Sequence, residues 1–288
     1  MTTNITLGAA TQQNLLALQN VNNDLNTSQE ALSTGLKVSS AVQDAVTFFE
    51  AQSLSNRAND LTTRKNSIDQ GVSSLTAATQ GIQSAVAILQ QLQGIVQSAK
   101  TETDSQRASA STQFATLTKQ LNNLLNDTSY QGLNLVNSSS TNLSLQFSSA
   151  SNSTIKITGQ NLLISKLVTN HVAGSLLATA IAGVKFSNAV SAGKTSQFDA
   201  IYNSLGTAIS TAQAAAQSLG ANVSLLQTRL SFTNNYITTL SGGASKLTVA
   251  DVNLESTNLV TLQTRQSLAI QSLSIATSSE QAVLRLFH

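Results

Sequence analysis

Cysteine does not occur in the chain, which excludes disulfides, thiol nucleophiles and thiolate metal sites. Proline is absent too, so no residue forces a break in a long helix. Charge is scarce: Asp, Glu, Lys and Arg make up 10% of the residues, against about 25% in ordinary soluble domains. Ser, Thr, Asn, Gln and Ala take their place, leaving a surface with little self-repulsion and weak protection against sticking to its own copies. The 15 Lys and Arg nearly balance the 13 Asp and Glu and are scattered, so no basic patch points to nucleic acid.

Histidine occurs only as His171 and His288. Neither has a carboxylate near it in sequence, so no catalytic dyad, zinc site or other cofactor site is expected, and the chain does not read as an enzyme. The one tempting motif is AGKTS at Ala192 to Ser196. A phosphate-binding loop needs a further glycine where this chain has Asn188, so its backbone N–H groups would not curl round a phosphate. Apolar runs stay well short of the roughly 18 residues of a membrane-crossing helix, so membrane insertion is not expected. The first twenty residues hold neither a basic residue nor an apolar core, so no cleaved secretory signal is expected.

What the chain has is periodicity. From Phe198 to Leu240 the ladder Phe198, Tyr202, Leu205, Ile209, Ala212, Ala216, Leu219, Val223, Leu226, Leu230, Thr233, Ile237, Leu240 alternates steps of four and three. All rungs but Thr233 are apolar, which predicts a coiled-coil helix roughly 65 Å long, ended by Ser241, Gly242 and Gly243. A second ladder runs Ile68, Val72, Leu75, Thr79, Ile82, Val86, Leu89, Gln93, Val96 within a helix over about 44–100. Gly71, Gly81 and Gly94 each weaken that helix by about 1 kcal/mol relative to Ala, so neighbours must hold it. Leu205, Ile209, Leu219, Val223, Leu226 and Leu230 form the expected spine where the two long helices meet.

Both ends are amphipathic. Residues 5–34 carry Leu15, Leu18, Val21, Leu25 and Leu32 on one stripe, interrupted by Ser28, with Gly35 as the C-cap. Ser39 or Ser40 is the expected cap of the helix that follows. Residues 251–287 carry Leu259, Leu262, Leu273, Val283 and Phe287, with Glu255, Gln266 and Glu280 as polar rungs and Leu268, Ile270, Ile275 and Leu284 widening the stripe. Between the long helices lies a shorter helix, roughly Asp104 to Asn126. Period-two alternation follows in Leu143, Leu145, Phe147 and in Ile155, Ile157, which reads as short strands. Residues 160–194 read as mixed helix and loop.

The chain goes out and comes back. The expected fold is mainly α: a long antiparallel coiled-coil rod with a small β-hairpin region in mid-chain. Residues 1–35 and 250–288 form a terminal-helix domain. Residues 44–160 and 195–240 form a helical rod domain with strands at about 132–158, and 160–194 is a short variable segment. An isolated amphipathic helix is marginal in water, so the ends are expected to bury their stripes against other copies.

Five stretches resemble bacterial flagellin: ALSTGLKVSSAVQDA from Ala31, LQQLQGIVQSAK from Leu89, LGANVSLLQTRL from Leu219, DVNLES from Asp251 and SLSIATSSEQAVLRLFH from Ser272. The resemblance covers about 1–160 and 195–288, in the family's order, and suggests a short form lacking most of the outer domain. It implies a structural subunit that self-assembles, with copies of itself or related flagellins, into a secreted extracellular filament for swimming. It also implies partners: the flagellar type III export apparatus, an export chaperone, the filament cap and hook-associated proteins. On that resemblance Leu15, Leu18, Val21, Leu25, Leu32, Leu259, Leu262, Leu273, Val283 and Phe287 are candidate polymer-interface residues. Many flagellins carry arginines and a glutamate where their rod helix is read by the flagellin-sensing Toll-like receptor; this chain has Gln91, Gln93 and Gly94, implying weak or absent recognition. The hook–filament junction protein, with similar helical ends, is the alternative within the class. A type III-exported translocator or effector is the alternative outside it.

Overall fold

The computed structural model describes residues 9–167 and 195–286. Both histidines, Phe287, most of 160–194 and the first three residues of the AGKTS stretch lie outside the described residues. Helix α1 spans Ala9–Thr34, α2 Ala45–Ala99 and α3 Asp104–Asp127. Strands β1 (Asn142–Gln146) and β2 (Thr154–Thr158) and the single turn α4 (Ile164–Leu167) follow. Helices α5 (Thr195–Thr248) and α6 (Val252–Leu286) complete the order. Two compact units form: Met1–Ala58 with Thr238–His288, and Asn59–Ile237.

In the second unit α2 and α5 run antiparallel. Gln93 Nε2 donates to the Tyr202 carbonyl at 3.3 Å and Lys100 Nζ reaches Asp199 Oδ1 at 2.6 Å. The ladders bury every seventh residue most deeply: Ile68, Leu75, Ile82, Leu89 and Val96 on α2, and Phe198, Leu205, Ala212, Leu219 and Leu226 on α5. The rungs between them are half-buried or, at Tyr202, exposed. Helix α2 buries a further stripe, Ala78, Ala85, Leu92 and Ala99, and joins one core with Phe114, Leu121 and Leu125 of α3.

The capping box of α3 pairs Thr103 with Gln106, while Arg107 Nε donates back to the Ala99 carbonyl at 2.9 Å and pins the α2–α3 turn. Past α3 the chain reverses over Tyr130–Leu133, whose central residues Gln131 and Gly132 both have positive φ (50° and 80°), the geometry of a tight hairpin turn. Asn134 then uses its whole amide. Its Nδ2 donates to the Leu125 and Asn126 carbonyls at 2.7 and 3.0 Å, and its Oδ1 accepts from Val136 and Asn137. Strands β1 and β2 pair antiparallel with Leu143 opposite Ile157 and Leu145 opposite Ile155. Leu145 packs on α2 at Gly71, and Phe147 lies under Arg229 of α5, whose guanidinium carbon is 4.9 Å from the ring centroid.

In the first unit α1 and α6 lie against each other, antiparallel. Gly35 takes φ +72° just after α1 and accepts the Ala250 N–H at 2.9 Å. Lys37 and Val38 donate to the Thr248 carbonyl, and Leu36 bridges Val249. The link from α1 to α2 and the link from α5 to α6 are therefore one backbone clasp.

Two local expectations change. Helix α5 does not end at Ser241–Gly243 but runs to Thr248; neither Gly242 nor Gly243 takes a positive φ, and a Cβ on Gly243 would meet Leu54 of α2 at 3.4 Å. The cap of α2 is Asp44, not Ser39 or Ser40: its Oδ1 accepts the Thr47 N–H at 3.0 Å and its Oδ2 the Thr47 hydroxyl at 2.6 Å. Ser39 instead donates to Glu30 at 2.7 Å.

Candidate assembly surfaces

The terminal helices present two kinds of face. On the face between them, Leu25 is buried, while Leu18, Val21 and Leu32 of α1 and Leu259, Leu262 and Leu273 of α6 are half-buried. Leu15 sits at the margin, 38% exposed. Val283 falls within α6. The candidate interface residues of the two ends are thus largely occupied with one another.

A second stripe lies round the helix. Leu254, Thr261, Leu268 and Ile275 of α6 recur every seven residues, with Thr257 and Thr264 between them, and all are exposed. Each of those threonines folds its hydroxyl onto its own helix: Thr257 Oγ1 donates to the Asn253 carbonyl, Thr261 to Thr257 and Thr264 to Val260, each at 2.9 Å. A hydroxyl satisfied in this way turns the side chain's methyl group outward, so the stripe is more apolar than its letters suggest. Val260, 61% exposed, borders it. Reading those threonines as polar hides this face; the seven-residue spacing of Leu254, Leu268 and Ile275 is the signal that finds it.

Further apolar groups face outward at the start of α2, where Val42, Val46 and Phe49 are exposed and the Phe48 and Phe49 rings meet edge-on at 5.6 Å. In the other unit the spine residues Leu205, Leu219 and Leu226 are buried, and Ile209, Val223 and Leu230 pack half-buried on the same core. Leu225 and Phe232 are exposed on α5, and Phe232 stacks on Tyr236 at 5.8 Å. Gln91 and Gly94 are exposed; Gln93 is half-buried by its bond to Tyr202.

Titratable chemistry is sparse. Among the described residues no group of three or more His, Asp or Glu side chains is placed to hold a metal ion, and no helix is long and apolar enough to cross a membrane. The Asp44 carboxyl is held below its ordinary value by the Thr47 hydroxyl first and the Thr47 backbone N–H second.

The ends that carry these faces match a known pair of regions. Residues 5–141 match the bacterial flagellin N-terminal helical region and residues 202–287 the bacterial flagellin C-terminal helical region. The chain belongs to the flagellin family. It is 29% identical to flagellin FljO of Caulobacter vibrioides over 281 residues and 26% identical to a flagellin of Brucella melitensis over 278, in each case over 95% of both chains. A match to flagellin A of Rhizobium meliloti, 43% identical over 89 residues, takes in 31% of this chain and 22% of that relative. Among solved structures, a flagellar hook-associated protein assignment from Vibrio parahaemolyticus shares the fold, with TM-score 0.56 and 12% identity over 72% of this chain and all of that one. The flagellin family is structural, not catalytic, and the chain is a structural subunit of the flagellar filament.

Proposed function

We propose that the two terminal helices act as one assembly element. They bury the seam between them inside each subunit and use the remaining apolar stripes to hold neighbouring copies. The observation that carries this reading is the exposed stripe of α6, with Leu254, Leu268 and Ile275 more than half exposed. Burying one such side chain contributes roughly 1.5–3 kcal/mol, and every subunit added to a filament repeats the contact. Leu15, Leu18, Val21, Leu25, Leu32, Leu259, Leu262 and Leu273 then serve polymerisation by holding the pair together, and Val283 and Phe287 stand beside them as candidate polymer-interface residues.

The domain reading pairs 1–35 with 250–288 as the filament core, and 44–160 with 195–240 as the body that carries it. Export through the flagellar type III apparatus, a chaperone, a cap and hook-associated proteins complete the picture, and the filament is extracellular. No catalytic activity is assigned. Gln91, Gln93 and Gly94 offer two neutral amides and a bare backbone where a receptor would require charge, so innate recognition is weak.

The test is truncation. A chain lacking residues 252–288 should stay helical yet form no filaments under salt or seeding, read by electron microscopy. Long ordered filaments from the truncated chain would sink the reading.

A further inference from the structure

Away from the terminal helices, two exposed faces each combine apolar side chains with a single charge. The first is at the start of α2, where Ala45, Val46, Phe49, Glu50 and Ser53 line a shallow apolar hollow. Val46 and Phe49 are exposed. Glu50 is the only charged residue between Asp44 and Arg57. Asp44 is engaged as the helix cap and Arg57 has a contact of its own, whereas Glu50 makes no ion pair among the described residues. The second face is on α5, where Leu225, Arg229, Phe232 and Tyr236 follow steps of four, three and four beside the buried ladder. Leu225 and Phe232 are exposed, and Phe232 stacks on Tyr236. Arg229 is the only charged residue from Ala200 to Ser245. Its guanidinium lies over the Phe147 ring, and it makes no ion pair among the described residues.

We infer that in the filament the Phe49 face of one copy packs on the Phe232 face of another, with Glu50 of the first paired to Arg229 of the second. The occupant is a second copy because the chain is a subunit of a filament. Two separate arguments choose the unlike pairing. A face that packs on itself closes a pair and stops, whereas open growth takes two different faces that fit each other. Charge makes the same choice. Two Phe49 faces together oppose Glu50 with Glu50, and two Phe232 faces oppose Arg229 with Arg229. Unlike faces bring opposite charges together, and such complementarity fixes orientation and rejects wrong pairings. The aromatic rings supply the buried area, as they do at the centres of many subunit contacts. This contact is additional to the one assigned to the terminal helices and does not depend on it.

Charge reversal tests it. Glu50 and Arg229 are both exposed, so Glu50→Arg and Arg229→Glu should leave the unassembled chain as helical as before. Alone, each variant sets like charges against each other at every contact and should need a roughly tenfold higher concentration to grow filaments. Mixed in equal amounts, the two should grow at close to the wild-type concentration, because the reversed face of each then meets the reversed face of the other. Normal growth of either variant alone overturns the inference, as does a mixture no better than its components. If Arg229→Glu loses helicity, Glu50→Arg and a second measurement decide. The chain has no cysteine, so Ser53→Cys and Thr228→Cys, at exposed polar positions beside the two faces, place one thiol in each chain. Filaments grown from equal amounts of both and mildly oxidised should yield disulfide dimers of mixed composition, told from like dimers by mass. Filaments of either variant alone should yield none. Dimers of like chains, or no dimers at all, overturn the inference.

Discussion

Leu145 of the hairpin lies against Gly71 of α2 so closely that a Cβ added at Gly71 would fall 2.5 Å from Leu145 Cδ1. Gly81, ten residues on, meets Thr128 in the same way, through Cγ2 and Oγ1. The two neighbours differ in what they can give. Leu145 offers a flexible branch end, whereas Thr128 is short, β-branched and held by its hydroxyl bond to the Leu124 carbonyl at 2.7 Å. Gly81→Ala is therefore expected to destabilise by about 1–3 kcal/mol and Gly71→Ala by less. Gly94→Ala, with no described atom within 4 Å of the new Cβ, should stabilise by about 1 kcal/mol through helix propensity. Thermal midpoints of the three variants should order as Gly94→Ala, then Gly71→Ala, then Gly81→Ala.

Thr118 on α3 is 2% exposed, and its Oγ1 has no hydrogen-bond partner among the described residues. Thr118→Val keeps the shape and removes a desolvated hydroxyl. It should raise stability by about 1 kcal/mol or more, measured by chemical denaturation with unchanged denaturant slope. A fall in stability would mean the hydroxyl is satisfied after all.

The exposed stripe of α6 yields a sharper mutation than truncation does. Leu268→Glu should leave the unassembled chain as helical as before and raise the concentration needed for filament growth at least tenfold, since tenfold corresponds to about 1.4 kcal/mol and one buried Leu is worth more than that. Gln263→Glu, at an exposed polar position of the same helix, is the control and should polymerise normally. Equal loss in both would assign the effect to charge alone.

Asp44 links α2 to pH. Its folded pKa lies below the ordinary 3.8, so the cap's contribution is fully present above that value and is lost as pH falls through the lower, folded one. Hydrogen exchange at the Thr47 amide should be protected at neutral pH and lose protection at strongly acidic pH. Asp44→Asn, which can still cap, should keep the protection at neutral pH; Asp44→Ala should not.

Purified unassembled chain is expected to activate cells bearing the flagellin-sensing Toll-like receptor far less than an enteric flagellin does. Activation of equal strength would show that Gln91, Gln93 and Gly94 do not decide recognition.

The long helices were legible because their ladders repeat. Steps of four and three named the rungs, and even Thr233, the polar exception, is buried at 3% in the same seven-residue series as Leu226 and Leu240. Less legible was the second buried stripe of α2. Its Ala78, Ala85 and Ala99 carry little hydrophobic signal, though all three are buried. The course of α5 through Gly242 and Gly243 was hidden for a related reason: glycine weakens a helix in isolation, but here Leu54 packs beside it. The outer face of α6 was legible only in part: Leu268 and Ile275 read as widening the apolar stripe, but their exposure and the turn of the threonine hydroxyls beside them are not written in the letters. The pairing of Ser28 with Glu255 spans 227 positions, a distance over which no local pattern speaks.

The clasp of Gly35, Lys37 and Val38 with Thr248 and Ala250 has a mechanical meaning. A filament driven from one end transmits torque through every subunit. Where the chain thins to single extended segments, each alone would stretch like a thread. Here two such segments are stitched side by side through backbone groups alone, so a pull on either is shared by both. The stitch also tolerates drift in the side chains around it, because none of its bonds depends on them.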